Sequence, residues 1–186
     1  LLAGEKKVSS NGRKDIFLAR IDPKGIIEDL FSFGGEGDEM LQAMEIDNSG
    51  NIFLTGSYSQ PFEVKGSKLI MGLTYNKSNS FISKFDENFK PLWVNRIEGE
   101  DYCEISSLKL DQHSNVLIAG SFNSRIHIND TILTSNGYSD IMFLKYSSAG
   151  MLMSIKSFGS RFYDYSSSLN IDNLGGAIIT GTLGDT

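Results

Sequence analysis

Asp47, Asp111 and Asp172 lie 64 and 61 residues apart, and the same two intervals separate Gly56, Gly120 and Gly181, and again Arg20, Lys84 and Lys145. A chain self-similar at such a period is built from stacked supersecondary units, none of which can bury its apolar face alone. The register also runs across the ends. Val8-Ser9-Ser10-Asn11-Gly12 falls on Leu133-Thr134-Ser135-Asn136-Gly137, which sets Leu1 opposite Ile126 and Thr186 opposite Arg125. The 186 residues therefore amount to three repeats of about 62, in circularly permuted phase. Repeated positions are dictated by packing, so the pattern speaks of architecture more than of activity.

Each repeat predicts four short strands. Met44-Glu45-Ile46-Asp47, Leu108-Lys109-Leu110-Asp111 and Leu169-Asn170-Ile171-Asp172 alternate apolar with polar residues, the period of a half-buried strand. Asn48-Ser49-Gly50-Asn51 and Asn173-Leu174-Gly175-Gly176 follow with residues that tolerate positive φ in a tight turn. The second strand, Ile52 to Gly56, Val116 to Gly120 and Ala177 to Gly181, is largely apolar and is expected to be buried on both faces. The third spans Asp15 to Asp22, Asp140 to Tyr146 and, more loosely, Ser80 to Asp86. The fourth spans Ile27 to Phe33, Pro91 to Ile97 and Leu152 to Phe158. No stretch carries a helical apolar stripe together with caps.

Four antiparallel strands per repeat, apolar on both faces, predict an all-β fold of the β-propeller type, in which radial repetition of four-stranded blades protects the sheet edges. On that reading residues 1–186 form a single propeller segment, with 1–35 the outer half of a blade, 36–99 and 100–160 full blades, and 161–186 the inner half of another. Propellers close with roughly four to eight blades. Exposed edges are therefore expected at both termini, to be covered by the remaining blades of a longer chain or by a second copy.

Charge narrows the function classes. The net charge is −6 and the seventeen basic residues are scattered, which excludes a phosphate-tracking nucleic-acid binder with its clustered Lys/Arg surface. No apolar run approaches the roughly 20 residues needed to span a bilayer. No basic segment followed by an apolar stretch opens the chain, so a signal peptide is expected to have been removed or to lie outside it. Cys103 is a lone cysteine whose repeat equivalents, Glu39 and Asp164, are polar; this predicts a position near a surface and no redox role.

Asp47-Asn48-Ser49-Gly50-Asn51, Gly120-Ser121-Phe122 and Leu133 to Ile141, with a Lys-Tyr or Lys-Phe pair and a closing Gly, form a pattern that resembles the β-propeller repeats called SBBP. The resemblance covers all three repeats. It implies a large secreted or surface-attached bacterial protein, associated with the outer membrane and often carrying adhesive modules, and it transfers no catalytic residue. The second repeat departs from the pattern, since Ser67 to Asn79 is lengthened and lacks the Ser-Asn-Gly turn.

Long loops on a rigid scaffold are where function concentrates. The connection between second and third strands is the longest, running from Ser57 to Ser78 and from Ser121 to Ser139, and alternation over Arg125 to Leu133 predicts an extra hairpin within it. Alternating strand direction places these loops on the same face as the links between repeats, which are acidic and aromatic. Asp38, Glu39, Glu100, Asp101, Tyr102, Phe162, Tyr163 and Asp164 are thus the candidate rim of a central channel. Aromatic faces there suit sugars or peptides, and carboxylates suit polar groups or, more weakly, Ca²⁺. The competing reading is solvated loop charge with aromatics packed between repeats.

Other constellations carry less. Glycoside hydrolysis needs an acid and a base about 5 to 9.5 Å apart, a spacing that loops do not specify. Asp47, Asp111 and Asp172 each open a hairpin, where an aspartate binds nearby backbone amides whether or not anything else is bound. His113 and His127 lack metal-site spacing, and no cofactor is implied. Trp93 has Asp29 and Ser154 as equivalents and is expected to pack against a neighbouring repeat. No P-loop, GxSxG or HExxH motif occurs. The expected function is a non-catalytic interaction scaffold for a glycan or protein partner. The alternatives are a hydrolase or lyase with acidic channel-rim residues, and a structural spacer.

Overall fold

Period-two alternation and turn chemistry yield antiparallel sheets. The computed structural model describes residues 2–3, 6–64, 70–71 and 78–185, and within them every named strand pairs antiparallel with its neighbours. In chain order the strands are β1 (Leu2–Ala3), β2 (Lys6–Lys7), β3 (Ile16–Ile21), β4 (Ile27–Phe33), β5 (Glu39–Ile46), β6 (Ile52–Tyr58), β7 (Phe62–Glu63), β8 (Ile70–Met71) and β9 (Ser78–Phe85). They continue as β10 (Pro91–Gly99), β11 (Cys103–Leu110), β12 (Val116–Phe122), β13 (Arg125–Ile128), β14 (Thr131–Thr134), β15 (Asp140–Tyr146), β16 (Leu152–Phe158), β17 (Tyr165–Ile171) and β18 (Ala177–Thr182). The main sheets run β3-β4, then β5-β6-β9-β10 extended by β13-β14, then β11-β12-β15-β16, then β17-β18. Among the described residues no helix is long and apolar enough to cross a membrane.

These sheets stack face to face, and the side-chain alternation of the middle strands shows how. Phe53 joins Ile82, Ile97, Ile105, Ile118, Met142 and Tyr146 in a core between the second and third sheets, while its neighbours Ile52 and Leu54 join Ile16, Leu18, Phe33 and Phe81 between the first and second. On β12, Val116 and Ile118 face the former core, and Leu117 and Ala119 face Leu169 of β17. A strand covered on both faces must be apolar at consecutive positions. Fully burying such a side chain is worth about 1.5–3 kcal/mol.

The repeated glycine has a backbone cause. The β5–β6, β11–β12 and β17–β18 ladders each carry a bulge, between Leu41 and Ala43, Ile105 and Ser107, and Ser166 and Ser168. Gly56, Gly120 and Gly181 sit opposite, where a Cβ would collide with the carbonyl oxygens of Met40, Glu104 and Tyr165. The repeated aspartate caps the hairpin. Asp47 Oδ1 accepts the N–H groups of Ser49 and Asn51 at 2.9 Å, and Asp111 Oδ1 does the same for His113 and Asn115. Asp172 takes those of Leu174 and Gly176 at 2.8 and 2.7 Å.

The hairpin read from Arg125 to Leu133 is present as β13–β14, and it does more than decorate a loop. It pairs Glu98 with His127 and Gly99 with Ile126, covering the outer edge of β10 in the neighbouring sheet. The β1–β2 hairpin, with Leu2 opposite Lys7 and Ala3 opposite Lys6, carries the register of His127 with Ile132 and Ile128 with Thr131. Trp93 bridges the same two sheets: its indole N–H donates to Ser148 O at 3.1 Å, and its ring meets Phe53 edge-on at 6.2 Å.

Three expectations are corrected. Cys103 is buried, because the bulged start of β11 turns it into the core between sheets, and burial pushes its thiol up to about 12. The first strands begin earlier than alternation suggests, at Glu39, Cys103 and Tyr165, since the bulge interrupts the period. β18, apolar enough for two-sided burial, lies largely exposed because only one sheet packs on it. The lengthened segment Ser67 to Asn79 falls mostly outside the described residues.

Candidate functional site

The links between sheets hold the candidate residues, and hydrogen bonding decides which stay open. Glu39 and Asp164 lead into β5 and β17 and are buried, 2% and 0% exposed, so neither belongs to an open rim. Each turns back under its own loop. Glu39 Oε2 accepts Gly35 N–H at 2.8 Å, and Asp164 Oδ1 accepts Gly184 N–H at 2.8 Å, with Ser160 N–H on Oδ2. Burial drives the Glu39 carboxyl above its ordinary value, with Gly35 opposing and Asp15 and Asp38 adding to the rise. For Asp164 the same burial is outweighed by the Ser160 and Gly184 N–H donors, and its carboxyl falls below the usual range.

A second carboxylate joins each of these. Gly34 lies between Glu39 and Asp15, and Gly159 between Asp164 and Asp140; a Cβ on either glycine would strike both carboxyl groups. Asp15 Oδ2 is committed to Asn11 N–H at 2.9 Å and Asp140 Oδ2 to Asn136 N–H at 3.1 Å. The pairs hold loop backbone against a strand end, a structural use of charge.

The remaining acids are engaged at the surface. Glu100 receives Arg125 Nε and His127 Nε2, each at 3.1 Å, which ties the β13–β14 hairpin to the link and lowers the Glu100 carboxyl, His127 contributing most. Asp101 Oδ2 accepts Asn123 Nδ2 at 2.9 Å. Asp38 is half-buried, its N–H donating to Ser59 Oγ at 2.7 Å and its carboxylate 3.9 Å from Arg13. Phe162 is half-buried, with its carbonyl taken by Ser139 N–H. Among the described residues no cluster of three or more His, Cys, Asp or Glu is placed to hold a metal ion.

What the links leave open is aromatic. Tyr138 stacks on Tyr163 with ring centroids 5.0 Å apart and planes 17° from parallel, Tyr163 stacks on Tyr165 at 6.2 Å and 6°, and Tyr165 meets Tyr102 edge-on at 6.4 Å. Tyr138, Tyr163 and Tyr165 are 59%, 53% and 39% exposed. The Tyr102 hydroxyl donates to Glu104 Oε2 at 2.6 Å, which fixes one end of the row and, with burial as the larger cause, raises the phenol well above its ordinary value. Extended backbone makes this row possible: Tyr163, an isolated bridge residue two positions before the first residue of β17, and Tyr165, which opens that strand, share a face. An isolated bridge between Ser139 and Tyr163 holds Tyr138 beside them. The corresponding bridge between Lys14 and Asp38 carries the Arg13–Asp38 ion pair in place of the tyrosine stack.

The acidic and aromatic links read from the sequence contain Tyr102, Tyr163 and Tyr165, and the structure adds Tyr138. The signal for Tyr165 is its period of two with Tyr163; Tyr138 follows the Asn-Gly turn at a distance that only the fold closes. No protein-family model matches the chain, and no curated protein matches it.

Proposed function

We propose that this chain is a non-catalytic interaction scaffold whose tyrosine row, Tyr138, Tyr163, Tyr165 and Tyr102, binds a glycan. The single observation that carries the reading is the row itself: three partly exposed rings held near parallel, with a fourth edge-on at one end. Stacked aromatic faces left exposed present an apolar, ordered platform at little conformational cost, and such exposed patches mark interaction sites. Sugar rings offer flat C–H faces that match it. Glu104, which holds the Tyr102 hydroxyl, borders the row with a carboxylate that can also accept sugar hydroxyls.

The same proposal takes the stacked four-stranded sheets as blades of a β-propeller of the SBBP type, in a secreted or cell-surface protein. Support comes from the repeat intervals, from the meander order β11-β12-β15-β16, and from the turn pattern that resembles that family. Glu39 and Asp164 each accept a loop N–H group and lie inside the fold rather than on an open rim, which favours the scaffold over a hydrolase or lyase.

Glycan-array screening of the chain, with Tyr138→Ala and Tyr163→Ala run beside it, tests the reading. Binding of one glycan class, lost in the tyrosine variants without a change in melting temperature, is the expected result. No binding, or binding untouched by both substitutions, overturns it.

A further inference from the structure

Among the described residues two strand edges whose counterparts are paired in the complete sheets stand open beside one apolar groove, and they match one another. Among the described residues β3 pairs only with β4, and β18 only with β17. In the complete sheets the corresponding strands pair with each other, β6 with β9 and β12 with β15. Carrying the β12–β15 register through the repeat intervals sets Ala177 opposite Ile21, Ile178 opposite Arg20 and Thr182 opposite Ile16.

The groove lies beside the open edge of β3. Phe17 and Ile21 of β3 face Leu41, Met44 and Ile46 of β5 across a cavity of about 920 Å³, and these five side chains are 39–58% exposed. At the other end of the stack, β17 packs on β11 and β12 just as β11 packs on β5. β5 has the groove where a strand of that kind would lie, and β18 exposes Ile178 at 55% on its uncovered face.

Charge supplies an independent match. In the third sheet the cation of the third strand meets the hairpin aspartate, Lys145 Nζ lying 2.9 Å from Asp111 Oδ2; in the second sheet its equivalent Lys84 donates to Ser148 O at 3.3 Å and lies over the Phe53 ring, with Asp47 within its electrostatic reach. The third members of these two sets, Arg20 and Asp172, lie on the two open edges. Arg20 is held instead by Asp29 at 3.3 Å and by the carbonyl of Glu87, and Asp172 accepts backbone N–H groups of its own turn.

We propose that the chain binds a second copy of itself by strand addition, β18 of one molecule pairing antiparallel with β3 of the other while its β17–β18 hairpin fills the groove beside β5. The joint forms a sheet β17-β18-β3-β4 across two molecules, with the order of β11-β12-β15-β16. It brings Asp172 of one copy to Arg20 of the other. Each copy carries both edges, so two equivalent joints pair β3 and β18 of both molecules in a symmetric dimer. The inference rests on strand register and does not depend on the glycan reading.

Light scattering on the intact chain after size exclusion, across a dilution series, is expected to give twice the 20.5 kDa mass of one chain, falling toward one chain on dilution. A monomer at every concentration overturns the proposal. Register is tested by cysteine trapping: a mixture of Ile178→Cys and Arg20→Cys molecules should form a disulfide-linked heterodimer, since directly opposed residues lie about 4.5–5.5 Å apart at Cα. A mixture of Ile178→Cys and Phe17→Cys, three residues out of register, should trap at least tenfold less. Equal trapping in both mixtures overturns the assigned pairing. Melting of each variant confirms folding, and the mass of the unsubstituted chain decides the matter if a variant does not fold.

Discussion

Lys145 Nζ lies 2.9 Å from Oδ2 of Asp111, whose side chain is 8% exposed, and this contact ties the third strand of a sheet to the hairpin between its first and second. Burial pushes the Asp111 carboxyl upward from its ordinary 3.8, but Lys145, the Asn115 amide and the N–H groups of Asn115 and His113 outweigh it and hold the group at about 2. The folded state therefore binds this proton less tightly than the unfolded chain. The resulting stability is fully present above the unfolded value and is lost as pH falls from about 4 toward 2. Asp111→Asn should flatten denaturant stability in that window. Lys145→Met should cost about 1–3 kcal/mol at neutral pH, the penalty for leaving a buried carboxylate without its charged donor.

Glu39 runs the other way. Its folded carboxyl sits above the ordinary 4.5, burial being the largest cause. The folded state binds this proton more tightly, so the contribution is greatest below pH 4.5 and declines as pH rises through the folded value. Glu39→Gln keeps an acceptor for Gly35 N–H and removes the charge. It should raise stability at pH 7 by roughly 1 kcal/mol, the order of one buried polar interaction, and leave pH 3 unchanged. Thermal melting at the two pH values reads the difference, and a loss at pH 7 would contradict the assignment.

Backbone geometry predicts a pair of substitutions with opposite signs. Gly120→Ala places a methyl group against the carbonyl of Glu104 and the Met142 side chain, where the strand cannot move without breaking its ladder. Overpacking of this kind costs about 1–3 kcal/mol. Ser114 holds φ at 57° in the turn where Gly50 and Gly175 take 80° and 82°. Ser114→Gly relieves that left-handed strain and should stabilise by roughly 1 kcal/mol. Urea unfolding of the two variants beside the parent checks both signs.

The features legible in the sequence were those that backbone chemistry demands at one place. Asp111 must accept the amides of its hairpin, Gly120 must face a bulge, and consecutive apolar residues from Val116 to Ala119 must be covered on both sides. Exposure was less legible because it depends on stacking. Glu39, Cys103 and Asp164 occupy one repeat position, and their polar average suggested a surface, yet all three are inside. A bulge shifts the alternation by one residue, and no composition reveals it. The tyrosine row needs Tyr102, Tyr138 and Tyr163 to converge from three separate links, which chain spacing alone does not announce.

The β13–β14 hairpin lets packing be weighed against charge in a single element. Ile126 and Ile128 are both fully buried in the core between two sheets, whereas the Glu100 contacts to Arg125 and His127 lie at the surface. Truncating a buried isoleucine removes its transfer energy and leaves a cavity, about 2–5 kcal/mol, while an ion pair that water screens contributes far less. Ile126→Ala should therefore lower the melting temperature markedly, and Glu100→Gln should barely move it. Because Ile126 also pairs with Gly99, its truncation should in addition speed amide exchange along β10, the edge that the hairpin covers. Equal effects of the two substitutions would mean that the hairpin is held by charge and not by its apolar face.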